Sequence, residues 1–452
     1  MKTNKKQTKK TDTKKLLKAA SKPAEQARKL HPFYRGKIEV IPKCRIRDFN
    51  DFAIWYSPGV ASVCMDINKN IELAYEYTNK WNSVAVVSDG TRVLGLGDIG
   101  PEAAMPVMEG KALLYKYLGG VDAYPICLGT KDQQEIINTV KILQPSFGGV
   151  NLEDISQPKC FPILYTLRKE CHIPVWHDDQ QGTALVTLAG LINALKVVNK
   201  KVSKVKIAML GAGSANICIA RLIMFYGANP ANIIMVDSKG TLHKGRKELK
   251  NTHPEKWAMC CETNGSGVQG TIENAMENAD VLICLSTPGP DVIKKEWIKK
   301  MAKNPIVFAC ANPVPEIWPW DAMEAGAAVV ATGRSDFANQ VNNSLGFPGV
   351  FRGTLDARAT TITDNMCITA ATELAACIPA NKIKPTQILP TMDDWKVYPQ
   401  VAAAVAVKAI KEKVAQKKAS YDQFYNQAMS MIKRSRALTA DMMKKGFIKK
   451  SK

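Results

Sequence analysis

Apolar and polar positions change rhythm several times along this chain, and those changes mark out its elements. From residue 36 to about residue 180, short apolar runs such as SVAVVSDG and DAYPICLGT alternate with longer stretches of helical spacing. EAAMPVMEGKALLYKYL repeats its apolar residues at helical spacing and then meets Gly119-Gly120, a helix stop. The alternation predicts an α/β domain. Over 184–199, ALVTLAGLINALKVVN is apolar nearly all round, so a buried helix is expected there. A β-α-β pattern follows: the run KIAML, a turn at Gly211-Ala212-Gly213, a helical segment, and the run NIIMVD ending at Asp237. With the runs ADVLICLS, PIVFACANP and AAVVATG, this predicts a parallel, doubly wound sheet of Rossmann type. From about residue 375 the Ala- and Lys-rich composition (VAAAVAVKAIKEKVAQKKA) predicts C-terminal helices packing back on the body.

Composition adds one surprise to an ordinary picture. The 452 residues are 46% hydrophobic and 23% charged, the profile of a globular enzyme of two domains. The formal charge is +21, but it is segregated: residues 1–50 carry 16 Lys/Arg against 4 Asp/Glu, and residues 401–452 carry 13 against 3. The centre is close to neutral. A nucleic-acid-binding role for the whole chain is therefore not expected, despite a pI near 9.4. The opening MKTNKKQTKKTDTKK holds no apolar stretch of signal-peptide type and reads as a flexible solvated tail. KKLLKAASKPAEQARKL (14–30) has the spacing of a basic amphipathic helix interrupted by Pro23. A cytoplasmic setting is expected, with organelle targeting by this segment the alternative; the absence of Arg from the first 27 residues counts against targeting. No apolar run of about 18 residues is present, so no membrane span is expected. Twelve cysteines lie scattered, without a C-x-x-C, and read as free thiols.

Candidate chemistry gathers just ahead of the glycine turn. Glu153-Asp154 in GGVNLEDIS and Asp178-Asp179 in VWHDDQQGTA offer hard oxygen ligands suited to Mg²⁺ or Mn²⁺. Such doublets are more often helix caps or solvated turns; their apolar flanks favour coordination here. Gly211, Gly213, Ser214 and Ala215 form the expected pyrophosphate cradle. At the third fingerprint position stands Asn216 rather than Gly or Ala, a departure expected to loosen helix–strand packing or to alter contacts near the pyrophosphate. Asp237 could accept from a ribose hydroxyl, whereas Ser238 and Lys239 could favour a 2′-phosphate. The choice between NAD and NADP stays open, with the balance tipped towards NADP.

Eight segments, in order, resemble the malic enzymes of the small, bacterial-type group. They are WYSPGVA (55–61), SDGTRVLGLGDIG (88–100), MEGKALLY (108–115), NLEDIS (151–156), HDDQQGTA (177–184), ANPVPEI (311–317), ATGRSDFANQVNN (331–343) and FPGVFRGTLD (347–356). The resemblance implies oxidative decarboxylation of L-malate to pyruvate and CO₂, with NAD or NADP and a divalent cation, by a homodimer. It implies Lys111 as general base with Asp178 beside it, Tyr56 as general acid, and Glu153, Asp154 and Asp179 as metal ligands. Ser57 follows Tyr56 where Thr is commoner. Arg92 would bind a malate carboxylate, Asn312 and Asn343 would contact substrate and nicotinamide, and Ser286 would belong to the cofactor site. His177 is left out, because a neighbour in sequence often points elsewhere. Removing hydride from C2 requires the hydroxyl proton to leave, and a lysine ordinarily titrates near about 10.4, so the site is expected to lower it. The implied organisation is a basic tail (1–35), a substrate and metal domain (36–180), a Rossmann-type domain (181–375) and a C-terminal helical segment (376–452). Two alternatives remain: a malolactic conversion of malate to lactate with retained NAD, and a non-catalytic, basic-tailed binding protein on the same scaffold.

Overall fold

The apolar runs become strands of two separate sheets. β1 (Ser83–Ser88), β2 (Asp122–Cys127), β3 (Gly149–Leu152) and β4 (Val175–His177) form an all-parallel sheet in the order β2-β1-β3-β4. β5 (Ile207–Leu210), β6 (Ile233–Asp237), β7 (Gly240–Thr241), β8 (Val281–Cys284), β9 (Ile306–Ala309) and β10 (Val329–Thr332) form the second sheet. Its order is β10-β9-β8-β5-β6-β7, parallel except for the two-residue edge strand β7. Parallel strands are covered on both faces, which is why β1, β3, β8 and β9 are buried along their whole length and read as unbroken apolar runs. The strand order reverses at β5, which lies between β6 and β8 and opens a crevice at their C-terminal ends.

The computed structural model describes residues 22–451, so residues 1–21 of the tail expected over 1–35 lie outside the described residues. Residues 46–435 form one compact unit; the end segments up to Arg45 and from Arg436 form another. In the end unit a helix covers 22–34, and the Tyr34 hydroxyl donates to the Lys449 carbonyl at 2.8 Å. Pro23 lies in its first described turn, and residues 14–21 of the expected amphipathic segment fall outside the described residues.

In the large unit the expected helix over EAAMPVMEGKALLYKYL runs Pro101–Gly119 and stops at Gly120, which adopts φ +65°. The apolar stretch near 184–199 forms Thr183–Val197, buried at every position from Ala184 to Leu195. It packs against the helices Ser214–Tyr226 and Asp364–Ala376. The Ala-rich C-terminal segment forms the helix Val397–Lys411, which packs on Phe347–Asp356. No helix among the described residues is long and apolar enough to cross a membrane. One polar group lies in the centre of this packing. Asn193 is fully buried and donates to the carbonyls of Ala375 (2.8 Å) and Ile388 (3.0 Å), tying the end of the Asp364–Ala376 helix and the stretch around Ile388 to the Thr183–Val197 helix. Asn193→Leu leaves the Ile388 carbonyl unpaired and Ala375 with only the long bond from the Ile378 N–H (3.4 Å), so a loss of about 2 kcal/mol is expected, read as a lower urea midpoint with an unchanged slope.

Candidate active site

Two loops at the C-terminal edge of the first sheet meet one helix. β3 ends at Leu152 and delivers Glu153 and Asp154; β4 ends at His177 and delivers Asp178 and Asp179. A π-helical turn over Asp178–Gly182 follows, in which the Thr183 N–H reaches back to the Asp178 carbonyl. Gly182 is required there: a methyl group on it would lie 2.0 Å from Asp178 Oδ1 and 3.3 Å from Asn343 Cβ, so the turn packs directly on Asn343.

Lys111, from the Pro101–Gly119 helix, points into this cluster. Its Nζ lies 2.6 Å from Asp178 Oδ2 and 2.9 Å from Glu153 Oε1, and 4.5 Å from the centre of the Phe347 ring. The partners are themselves held. Trp176 Nε1–H donates to Asp178 Oδ1 (3.0 Å), and Asn151 Nδ2–H donates to Glu153 Oε2 (2.8 Å). The Tyr115 hydroxyl in turn donates to Asn151 Oδ1 (2.9 Å). Asp179 Oδ2 accepts the backbone N–H of Asp154 at 2.8 Å, linking the two acidic loops.

The protein's own charges act against the expected lowering of the Lys111 pKa, which called on a divalent cation as well as burial. Burial does push the Lys111 pKa down, but Asp178 and Glu153 outweigh it, and the net shift is upward. Among the protein's own groups the lysine therefore holds its proton. Four carboxylates surround this single ammonium, and the surplus negative charge shows on the others. Burial and the neighbouring acids raise Glu153 well above the usual range, and burial and Asp179 raise Asp154 to about 8. Glu153, Asp154 and Asp179 bring one oxygen each to within 4.8 Å of one another, and Asp154 Oδ2 is buried without a partner. An oxygen-only cradle with an unspent lone pair and excess negative charge fits a divalent cation. His177 is fully buried beside them, and burial lowers its pKa.

The second sheet supplies the other wall. Gly211 adopts φ +98°, and a Cβ there would sit 2.4 Å from the Leu285 carbonyl, while nothing lies within 4 Å of the Cβ position of Gly213. Asn216 corrects the expectation of loose packing. It is buried, and its Nδ2 donates to the carbonyls of Leu210 and Gly211, both at 2.8 Å, so it tightens the turn. Ser214 and Ala215 begin the helix and are half-buried. Asp237 is already engaged: Arg246 donates two bonds to it at 3.2 Å, the Lys239 N–H one at 2.9 Å, and Lys256 stands 3.6 Å away. Burial opposes ionisation of Asp237, but these donors prevail and its pKa is lowered. The Ser238 and Lys239 side chains are exposed beside it. Ser286 donates through its N–H (2.8 Å) and hydroxyl (3.1 Å) to the buried Glu316 carboxylate, which also accepts the Ala311 N–H at 3.0 Å. Asn312 follows at the end of β9, exposed, and its carbonyl lies 2.7 Å from where a Cβ on Gly95 would be. Thus the loop after Arg92 abuts the nucleotide sheet. Arg92 is exposed beside Asp154, whose carbonyl accepts its N–H at 2.9 Å.

Tyr56 is not brought to the Lys111 cluster by any hydrogen bond; its side chain is 74% exposed. The sequence reading missed Trp176, Asn151, Glu316 and Arg246. For the first two a signal existed: each lies two residues before an acid on the same strand edge, so alternation places the pair on one face.

Residues 35–136 match the family model for the malic enzyme N-terminal domain, and residues 180–414 match the model for the malic enzyme NAD-binding domain. The chain belongs to the malic enzyme family. It is similar to the bifunctional malic/malolactic enzyme of Bacillus subtilis, 50% identical over 391 residues that cover 86% of this chain and 94% of that protein. The NAD-dependent malic enzyme of Geobacillus stearothermophilus is 48% identical over 382 residues, covering 84% of this chain and 78% of that one. The crystal structure of the Entamoeba histolytica malic enzyme superposes with a TM-score of 0.93 at 50% identity, covering 96% of this chain and 92% of that one.

The raised carboxylates carry a pH signature. Because Asp154 holds a proton up to about pH 8, cation binding near neutral pH must displace protons. Titrating weakly buffered protein with Mn²⁺ is expected to acidify the solution, and apparent affinity is expected to rise as pH rises through that range. Binding without proton release would contradict the shifts.

Proposed function

We propose that this protein oxidatively decarboxylates L-malate to pyruvate and CO₂, with NADP⁺ preferred over NAD⁺. The observation that carries the reading is the buried Lys111, held at hydrogen-bond distance by Asp178 and Glu153 within a cradle fit for a divalent cation. Glu153, Asp154 and Asp179 would hold that cation. When bound, it supplies a Lewis acid for the C2 oxygen, as the nicotinamide supplies a hydride acceptor. Lys111 takes the C2 hydroxyl proton, and Asp178 keeps the amine aimed at it. A cation on Glu153 would offset the carboxylate charge that holds the lysine's proton, leaving burial to lower its pKa. Arg92 pairs with a malate carboxylate, and Asn343 and Asn312 line the substrate and nicotinamide sides. The pyrophosphate lies on Gly211, Gly213, Ser214 and Ala215, with Asn216 fixing the turn beneath them. Ser286, anchored by Glu316, completes the cofactor side.

Arg246 decides the cofactor preference. It occupies the Asp237 oxygens that would otherwise accept from a ribose, and with Lys239 and Lys256 it forms a cationic rim suited to a 2′-phosphate. The test is reduced-nicotinamide absorbance with L-malate, Mn²⁺ and each cofactor, with pyruvate and lactate assayed alongside. Metal-dependent reduction matched by pyruvate, faster with NADP⁺, is the expected result. Lactate without net reduction would replace this reading with the malolactic one, and neither product would overturn both.

Tyr56 as proton donor to C3 needs a further condition, since a donor must come within hydrogen-bond reach. The phenol belongs to a run of exposed apolar side chains that includes Phe49 (90%), Ile54 (57%) and Trp55 (50%). Such a surface is uncommon on a solitary chain. We infer a homodimer that covers this face and takes Tyr56 out of bulk water. Light scattering is expected to give the mass of two chains, and a single-chain mass would refute the assembly. The twelve cysteines are all free thiols, which suits the cytoplasmic setting we assign.

A further inference from the structure

His177 is the least explained residue near the acidic loops. It ends β4 with no exposed surface, and neither ring nitrogen has a hydrogen-bond partner. Buried polar atoms are nearly always paired, so a doubly unpaired imidazole calls for a cause. Its Nδ1 lies 3.6 Å from Asp179 Oδ2, roughly half an ångström beyond hydrogen-bond length. The His177 backbone N–H is fixed on Gln181 Oε1 at 3.0 Å, which holds the strand end from which the ring projects.

The residue before it shows what such a position does. Trp176 is fully buried and donates to the carboxylate two residues on, Asp178. His177 stands in the same relation to Asp179. Successive strand residues face opposite ways, so two consecutive residues of β4 can each address a different acid of the following turn.

We propose that His177 is a positioning residue for Asp179, giving its Nδ1–H to that carboxylate and fixing the direction in which its oxygens are offered to the divalent cation. The inference rests on the reading of Glu153, Asp154 and Asp179 as the cation's ligands. Asp179 also takes the Asp154 N–H, so its orientation sets the spacing between the two acidic loops as well. Loss of an outer hydrogen bond to a metal ligand typically weakens metal affinity by about 10–100-fold. His177→Leu removes the donor and keeps an apolar filling. His177→Asn places an amide N–H close to where Nδ1 stands.

The experiment is Mn²⁺ binding to the full chain without substrate, followed by the electron paramagnetic resonance of the free ion, with thermal melting in chelator confirming that each variant folds. His177→Leu is expected to bind Mn²⁺ roughly 10–100-fold more weakly than wild type, and His177→Asn to recover most of the loss. Wild-type affinity in a folded His177→Leu overturns the proposal. So does a folded His177→Asn as weak as the leucine variant, which would assign the effect to the ring's bulk. If His177→Leu does not fold, the asparagine variant decides alone: affinity near wild type supports the donor role, and a 10-fold loss or more sinks it. Failure of the wild-type chain to bind Mn²⁺ would remove the ligand reading itself, an outcome distinct from those in which only the variants speak.

Discussion

The Lys111 ammonium lies between Asp178 and Glu153, with Asp154 and Asp179 close behind, and the surrounding structure can be understood as the support that this charge imbalance demands. One positive charge cannot neutralise four acids in a setting shielded from water. Left alone, the cluster would relax by splaying its carboxylates or admitting solvent. Instead each acid is tied: Glu153 by Asn151, Asp178 by Trp176, Asp179 by the Asp154 backbone, and Asp154 by the Leu94 N–H. Those ties reach back into the packed strands β3 and β4, so the site's geometry is stored in the hydrophobic core.

The same logic governs the nucleotide side, with fewer charges. Asn216 bonds the consecutive Leu210 and Gly211 carbonyls at the start of the glycine turn, and Glu316 gathers Ser286 and Ala311 from the ends of neighbouring strands. Both are side chains reaching back to main chain at the strand ends. Open α/β sheets leave such groups at their C-terminal edge, where ligands bind. A polar residue that looks like a defect in a fingerprint can thus be the clasp that keeps the turn in place.

Much of this was legible beforehand. Long runs such as SVAVVS and the helical spacing around Lys111 carry enough periodic signal to place an element, and Gly120 ends its helix where a glycine pair says it should. β3 and β4 escaped because four and three residues are too few to show a period, although they present the acids. The direction of the lysine's shift escaped for a different reason. It depends on how many carboxylates converge from separate loops, a tertiary count that neighbouring residues do not disclose. Arg246 on Asp237 is the same kind of case, nine residues apart along the chain and joined only by the fold. Tyr56 marks the opposite limit, where a residue is easy to find and its surroundings within one chain do not explain it.

β4 is three residues long, and its last two side chains address different acids from opposite faces. A strand alternates strictly, so deleting or inserting one residue between Val175 and Asp178 would exchange the two faces and misdirect both acids together. Substitutions here can be graded, but length changes cannot. Drift in this family should therefore proceed by replacement within a fixed-length segment here, while insertions and deletions collect in the surface loops.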